Sequence, residues 1–211
     1  MGYWTDDLFD GGAGNDLIKG YGGADTYIFG RGSGQDVIEE SIDTIYEDYP
    51  DTIQFSSNVM LADVYFSIVG SDLLITIAGV TDTLTIKNHF GSSNNAVEFF
   101  RFADNTVLTN ANVAVLAVEA QSTFGDDTIT GTSGSDTIDG LAGNDTLQGL
   151  AGDDIYVFGR GSGQDVVNDD GNSGSKSVDK ITFKVGVVTT NLQFSRTGND
   201  LIIKTPVRPT N

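Results

Sequence analysis

The sequence predicts an all-β protein in which two parallel β-rolls, right-handed and β-helix-like, are separated by an antiparallel β-meander. Three observations support this prediction. Nonapeptide units recur nine times, alternating apolar residues replace them between residues 51 and 109, and a second period of 128 to 129 residues repeats both patterns. Such periods are typical of stacked structural units, each too small to bury its apolar side alone.

The nonapeptide units form two blocks, at residues 2–10, 11–19, 20–28 and 31–39, and at residues 122–130, 131–139, 140–148, 149–157 and 160–168. Position six of every unit is Asp, and position eight is a large apolar or aromatic residue. The glycine-rich first six residues predict a turn and the last three a short strand. If two units make one coil, the strands stack into two parallel sheets and the position-eight side chains face inward. These inward side chains are Phe9, Ile18, Tyr27, Ile38, Ile129, Ile138, Leu147, Tyr156 and Val167.

Each block ends in almost the same eleven residues, "YIFGRGSGQDV" at 27–37 and "YVFGRGSGQDV" at 156–166. The Phe-Gly pair inside this stretch interrupts the period of nine and lengthens one turn. We therefore interpret the stretch as a structural junction between a roll and the segment that follows it, in preference to a ligand-binding loop.

Alternation of apolar and polar residues predicts the β-meander between the rolls. Leu73, Ile75 and Ile77 share one face, as do Leu84 with Ile86 and Phe100 with Phe102. Residues 112–120 predict a short helical linker of one or two turns. A partial second copy follows the second roll, since "DKITF" (179–183) echoes "DTIQF" (51–55) and "LQFSRTGNDLII" (192–203) echoes "VYFSIVGSDLLI" (64–75). We expect the second meander to be truncated.

These patterns divide the chain into five parts. We expect a first roll at 1–40, a β segment at 41–110, a linker at 111–121, a second roll at 122–169 and a partial second β segment at 170–211.

Composition excludes several classes of function. A formal charge of -19 disfavours nucleic acid as a partner, and the absence of Cys removes disulfides and thiolate chemistry. The longest apolar run is too short for a membrane span. His89 is the single histidine and has no nucleophile motif around it, so we interpret it as a structural or surface residue and expect no enzyme activity.

The stacked turns predict a metal. Stacking places position-six carboxylates roughly 5 Å apart, where like charges repel unless a cation lies between them. Calcium fits, because it accepts six to eight oxygen ligands in flexible geometry and glycine-rich turns expose backbone carbonyls. Magnesium demands stricter geometry, and zinc would need His or Cys.

The units also resemble the G-G-x-G-x-D-x-U-x calcium-binding nonapeptide of repeats-in-toxin (RTX) proteins, and the meander resembles the β segment that follows such blocks in haemolysin-type proteins. The resemblance implies one metal between turns two units apart, about five calcium ions in all. The implied aspartate pairs are Asp7 with Asp25, Asp16 with Asp36, Asp127 with Asp145, Asp136 with Asp154, and Asp145 with Asp165. It also implies carbonyl ligands from the first and third residues of units, namely Gly11, Ala13, Gly20, Gly22, Gly131, Ser133, Gly140, Ala142, Gly149 and Ala151. The first and fifth units depart from the glycine pattern at Tyr3, Trp4, Thr5, Thr123 and Phe124, which favours a role as caps.

We therefore expect a non-catalytic, calcium-folded module of a secreted bacterial protein, working outside the cell after export by a type I system, as the resemblance implies. Its expected partners are calcium and neighbouring repeats of a longer parent chain. Two alternatives remain: the β-meander is an adhesin or other binder of a glycan or protein ligand, with the rolls as calcium-stiffened spacers, or the chain is the calcium-dependent tail of a secreted hydrolase. Separately, Trp4, Tyr3 and Tyr21 offer an aromatic patch near the first roll.

Overall fold

A computed structural model describes residues 5–40, 49–91, 95–169, 177–188, 190 and 192–205. Tyr3 and Trp4 of the expected aromatic patch lie outside these residues, as do parts of the expected domain boundaries at 41–48 and 170–176. Within the described residues the chain forms strands throughout, with one α-helix, α1 (Asn110–Glu119), and one 3-10 turn, Leu61–Asp63. The strands are β1 (Leu8–Asp10), β2 (Leu17–Ile18), β3 (Thr26–Phe29), β4 (Gln35–Ile38), β5 (Thr52–Phe55), β6 (Val64–Val69), β7 (Asp72–Ile77), β8 (Thr83–Ile86), β9 (Phe99–Arg101), β10 (Val107–Thr109), β11 (Thr128–Thr130), β12 (Thr137–Ile138), β13 (Thr146–Gln148), β14 (Ile155–Phe158), β15 (Val166–Val167), β16 (Lys180–Phe183), β17 (Gln193–Thr197) and β18 (Asp200–Lys204).

The nonapeptide units fold into two parallel β-rolls, as predicted. Strands of alternate units pair in parallel, β1 with β3 and β2 with β4 in the first roll, and β11 with β13 and β12 with β14 in the second. The register places position-eight residues opposite one another, for example Ile129 opposite Leu147. A coil therefore consists of two units, one in each sheet.

The position-eight side chains form the interior of both rolls. Ile18, Tyr27 and Ile38 are buried in the first roll, where Phe9 is partly buried and stacks on Tyr27 with ring centroids 5.2 Å apart. Ile129, Ile138, Leu147 and Tyr156 are buried in the second. Val167 is an exception, because 36% of its surface is exposed. It lies on β15, which is the last strand of its sheet among the described residues, whereas the equivalent strand of the first roll, β4, also pairs with β8.

The segment after the first roll continues both of its sheets. β5 pairs in parallel with β3 and then with β9, while β8 pairs in parallel with β4. β8, β7 and β6 then form the predicted antiparallel meander. The two sheets thus have the orders β1-β3-β5-β9-β10 and β2-β4-β8-β7-β6. Roll and meander share one hydrophobic core, to which the predicted inward faces contribute Leu73, Ile75, Ile77, Leu84, Ile86, Phe100 and Phe102.

Helix α1 is longer and more deeply packed than the short linker that the sequence suggested. Thr109 caps its first turn, since its side chain accepts a hydrogen bond from the Asn112 backbone N–H. Val113 and Ala117 are buried in the first core, whereas Val118 is buried in the core of the second roll. The helix therefore contacts both cores. No helix within the described ranges is both long enough and apolar enough to span a bilayer.

Candidate metal centre

The position-six aspartates lie directly above one another in neighbouring coils. In all five predicted pairs, the backbone N–H of the first aspartate donates to the Oδ1 of the second. The N···O distances are 2.9 Å for Asp7 to Asp25, 3.0 Å for Asp16 to Asp36, 2.9 Å for Asp127 to Asp145, 2.9 Å for Asp136 to Asp154 and 3.1 Å for Asp145 to Asp165. One oxygen of each upper carboxylate is therefore fixed, and the columns are continuous.

On four of the stacked aspartates, the Oδ2 atom has no donor. Oδ2 of Asp16, Asp25, Asp145 and Asp154 is buried and has no hydrogen-bond partner among the described residues. A buried anionic oxygen without a partner is strongly unfavourable, and proteins normally supply a donor or a metal ion. An all-oxygen set of stacked carboxylates in glycine-rich turns has the ligand chemistry that calcium prefers. The residues present therefore fit a calcium ion.

Position-one glycines make room for these oxygens. A Cβ built on Gly11 would lie 2.9 Å from Oδ2 of Asp16, and a Cβ on Gly20 would lie 2.5 Å from Oδ2 of Asp25. Cβ atoms on Gly131, Gly140 and Gly149 would likewise collide with the aspartate of their own unit. These glycines are not at positive φ, so the reason for glycine here is space beside the carboxylate.

Position-four glycines bring successive turns together. Gly14 and Gly34 form a parallel bridge, as do Gly143 and Gly163, and all four have positive φ. A Cβ on Gly34 or Gly163 would collide with the carbonyl oxygen of the turn below. These bridges stack the turns that hold Ala13 and Ala142 at position three. The turns that hold Gly22 and Ala151 also lie close to the turn below, since a Cβ on Gly23 or Gly152 would collide with its backbone. Ser133 Oγ donates to the Phe90 carbonyl at 2.7 Å. The carbonyl ligands at positions one and three stay predictions.

In two units a threonine donates hydrogen bonds to the Oδ2 atom that has no donor in four other units. The Thr132 backbone N–H and hydroxyl donate to Oδ2 of Asp136 at 2.6 and 3.0 Å. Thr123 binds Asp127 in the same way, with its N–H 2.7 Å from Oδ2. Both threonines are at position two, where other units have Gly12, Tyr21, Leu141 or Leu150 in a left-handed conformation.

Burial raises the pKa values of five of the stacked carboxyls. Desolvation raises the pKa of Asp25 and that of Asp154 to about 6, because in each the backbone hydrogen bond only partly offsets the loss of water. Desolvation also raises the pKa values of Asp36, Asp136 and Asp165. Ionisation of these carboxyls therefore destabilises the folded turns when no cation is bound.

The columns extend beyond the repeats to two aspartates that the sequence analysis did not single out. Asp25 N–H donates to Oδ1 of Asp51 at 2.8 Å, and Asp154 N–H donates to Oδ1 of Asp179 at 3.0 Å. Each begins one of the matching stretches "DTIQF" and "DKITF", in which Asp precedes an apolar strand just as in a repeat. That likeness was the signal available in the sequence.

The "RGSG" stretch joins the first roll to the meander. Gly32 N–H and Gly34 N–H donate to the two oxygens of Asp82 at 2.9 and 2.8 Å. Arg31 Nη1 donates to the Ala78 carbonyl at 2.7 Å and Nη2 lies 3.4 Å from Asp63. In the second copy Arg160 Nε donates to the Gly186 carbonyl at 2.9 Å. These contacts support the interpretation of the stretch as a structural junction.

His89 lies in the core that the first roll shares with the meander. It is buried, its Nδ1 accepts the backbone N–H of Val97 at 3.2 Å, and its ring packs edge-on against Phe90 and Phe100. Burial lowers its pKa to about 4, so the ring is neutral at neutral pH. These contacts give His89 a structural role inside the core.

Fold and site together define a class: a parallel β-roll whose turns stack carboxylates for binding metal ions. Comparison with known families agrees with this class. The RTX calcium-binding nonapeptide repeat matches residues 1–36, 122–156 and 130–167, and the haemolysin-type calcium binding protein related domain matches residues 72–112. The two models match separate parts of the chain, which therefore contains RTX calcium-binding nonapeptide repeats in both rolls and a haemolysin-type calcium binding protein related domain in the meander.

Other comparisons add less. A search of curated proteins gives no match. Among solved structures, the crystal structure of the extracellular lipase LipA from Serratia marcescens aligns with a TM-score of 0.33 and 16% sequence identity, covering 98% of this chain and 36% of the lipase chain. The chain thus spans about a third of the length of that lipase.

Proposed function

We propose that this chain is a non-catalytic, calcium-folded β-roll module of a secreted bacterial RTX protein. The observation that carries the proposal is the set of buried Oδ2 atoms without a donor on Asp16, Asp25, Asp145 and Asp154. Each belongs to a column in which a calcium ion between coils would supply the missing positive charge. Calcium at the five aspartate pairs is then part of the folded structure itself.

Net charge makes folding depend on the metal. The chain carries -19 at neutral pH, and five divalent ions would add +10, which offsets about half of it. Without calcium, repulsion within the turns keeps the rolls largely unfolded, a state suited to passage through a narrow export channel. Calcium at millimolar concentration outside the cell matches sites of the extracellular type, with dissociation constants of about 10⁻⁴ to 10⁻³ M.

The second copy also supports neighbouring repeats as partners. Phe194 and Leu201 on the β17–β18 hairpin are 61% and 65% exposed, whereas their counterparts in the first copy, Phe66 and Leu73, are buried. Ile181 is likewise exposed where its counterpart Ile53 is buried. In the first copy β8 joins the equivalent hairpin, β6–β7, to the roll. Further repeat segments of a longer parent chain would cover the same face of the second copy.

Circular dichroism of the purified chain tests the calcium-dependent fold. In chelator the far-ultraviolet spectrum should be that of a largely unfolded chain, and calcium at about 1 mM should restore the β signal, because the metal binds only the folded turns. Magnesium at the same concentration is the control and should have little effect. Full β structure in chelator, with a melting temperature unchanged by calcium, would contradict the proposal.

A further inference from the structure

A cluster of three acidic side chains lies where the first roll meets the β segment. Asp25, Glu40 and Asp51 are all buried, with exposures of 1%, 5% and 8%, and one oxygen of each lies within 4.8 Å of the others. Glu40 and Asp51 do not belong to the nonapeptide motif. Three carboxylates in this space repel one another strongly unless a cation neutralises them.

The second copy repeats the cluster with nearly the same spacing in sequence, 15 and 10 residues in place of 15 and 11. Asp154, Asp169 and Asp179 also bring one oxygen each to within 4.8 Å of the others. In both copies a position-eight tyrosine donates a hydrogen bond to the acidic residue that follows the roll. Tyr27 donates to Glu40, and Tyr156 donates to Asp169 at 3.1 Å. The arrangement is therefore a built feature of both junctions.

Oxygen atoms aimed into each cluster lack donors. Oδ2 of Asp25 has no hydrogen-bond partner among the described residues, and the same holds for Oδ2 of Asp154 and Oδ1 of Asp169. Asp25 and Asp154 are at least 99% buried. Beside the first cluster, Lys19 pairs with Glu39 at 2.5 Å and Lys87 pairs with Asp72 at 2.5 Å, so both lysines are engaged elsewhere.

A glycine keeps space open beside each cluster. A Cβ built on Gly20 would collide with Oδ2 of Asp25, Oε1 of Glu40 and the hydroxyl of Tyr27. A Cβ on Gly149 would collide with Oδ2 of Asp154 and the hydroxyl of Tyr156. Oxygen atoms from three separate parts of the chain thus converge on one point in each copy.

We propose that each junction binds one calcium ion in addition to the five between repeat turns, held by Asp25, Glu40 and Asp51 in the first copy and by Asp154, Asp169 and Asp179 in the second. Three hard anionic oxygens favour calcium over softer metals. As Asp145 does between two predicted pairs, Asp25 and Asp154 are shared between a repeat site and a junction site. The ion ties the end of the roll to β5 or β16, so that the following segment docks only when calcium is present.

The two junction sites differ in exposure. All three acids of the first cluster are buried, whereas Asp179 is exposed and Asp169 is partly exposed. We expect the first site to bind calcium more tightly and release it more slowly, because fewer water molecules compete for the ion.

Calcium binding by the full chain, measured by equilibrium dialysis with radioactive calcium, tests the inference. Glu40→Gln and Asp169→Asn should each weaken one site about tenfold, so that each variant binds roughly 0.4 ion fewer than the wild type at about 1 mM calcium. Glu39→Gln is the matched control, since it removes the same charge at the neighbouring residue. The Glu39 side chain is 42% exposed, and its replacement should leave the ion count unchanged.

Circular dichroism of the same samples separates the inference from the proposed function. Wild-type ion counts in Glu40→Gln and Asp169→Asn, with normal calcium-induced folding, would overturn the junction sites and leave the repeat sites intact. Failure of the wild type to fold with calcium would instead overturn the proposed function. If Glu40→Gln fails to fold, Asp169→Asn at the more exposed junction still decides, because an unchanged count there contradicts the inference.

Discussion

Position two of a repeat decides whether the position-six carboxylate is satisfied within its own turn. Thr123 and Thr132 donate to Asp127 and Asp136, so a calcium ion at these turns must compete with existing hydrogen bonds. With Leu141 in a left-handed turn, Oδ2 of Asp145 has no donor among the described residues. The threonine units therefore lie at the start of the second block, whose first unit was expected to be a cap, and the open units form its centre.

Asp145 is the residue on which the second roll depends most, because it takes part in two of the predicted pairs. Asp145→Asn keeps an oxygen to accept the Asp127 N–H but removes the charge. We expect the calcium concentration for half-folding of the second roll to rise about tenfold or more, since a neutral amide is a weaker calcium ligand than a carboxylate. A calcium titration followed by circular dichroism measures the shift.

Asp153→Asn is the matched control for this substitution. Asp153 is the exposed position-five residue of the next unit, and its Oδ1 accepts the Val178 N–H, which asparagine can also accept. This variant has the same change in charge and should titrate like the wild type. Equal shifts in both variants would show that overall charge, and not the stacked column, controls calcium affinity.

At the scale of elements, the sequence was sufficient for the rolls and insufficient for their continuation. A fixed period gives both the strands and their partners, because identical units stack on one another. The parallel pairing of β5 with β3 and of β8 with β4 joins strands of different sequence that other strands separate along the chain, and no local pattern specifies such partners. Asp82 was missed for the same reason, since its role depends on those partners. Asp51 and Asp179 resemble repeat aspartates in sequence, but their partners do not follow from that likeness.

The helix shows the same limit. Its alternating small apolar residues marked a helical tendency, but the burial of Val113 in one core and Val118 in the other depends on tertiary packing. The cap at Thr109 sets the start of the helix two residues before the expected position.

The exposed β17–β18 hairpin predicts self-association of the calcium-loaded chain, because exposed apolar strands pair with other chains. Phe194→Ser should lower the sedimentation coefficient toward that of a monomer at high protein concentration and leave calcium binding unchanged. Tyr65→Ser is the control, since Tyr65 is 59% exposed on the hairpin of the first copy, which is already joined to its sheet. Wild-type chain that stays monomeric at all concentrations would contradict this prediction.

At the scale of the whole molecule, proton and calcium binding oppose each other at the same carboxylates. Burial raises the pKa of Asp25 and of Asp154 from 3.8 to about 6, and desolvation, with the neighbouring acids adding to it, raises the pKa of Glu40 from 4.5 to about 9. A group whose pKa is raised by folding binds its proton more tightly in the folded chain. Its stabilising effect is complete below the unfolded pKa and is lost as pH rises through the folded value.

The calcium-free chain should therefore gain structure as the pH falls from about 8 to about 5, whereas calcium-loaded chain should require more calcium at the lower pH, because protons compete for its ligands. Circular dichroism in chelator and in calcium at both pH values measures the two trends. Replacing Asp25 and Asp154 by Asn should reduce the response in chelator, while replacing the exposed Asp126 and Asp153 by Asn should preserve it. A chelator-treated chain whose β signal is the same at both pH values would show that the buried carboxylates do not limit folding.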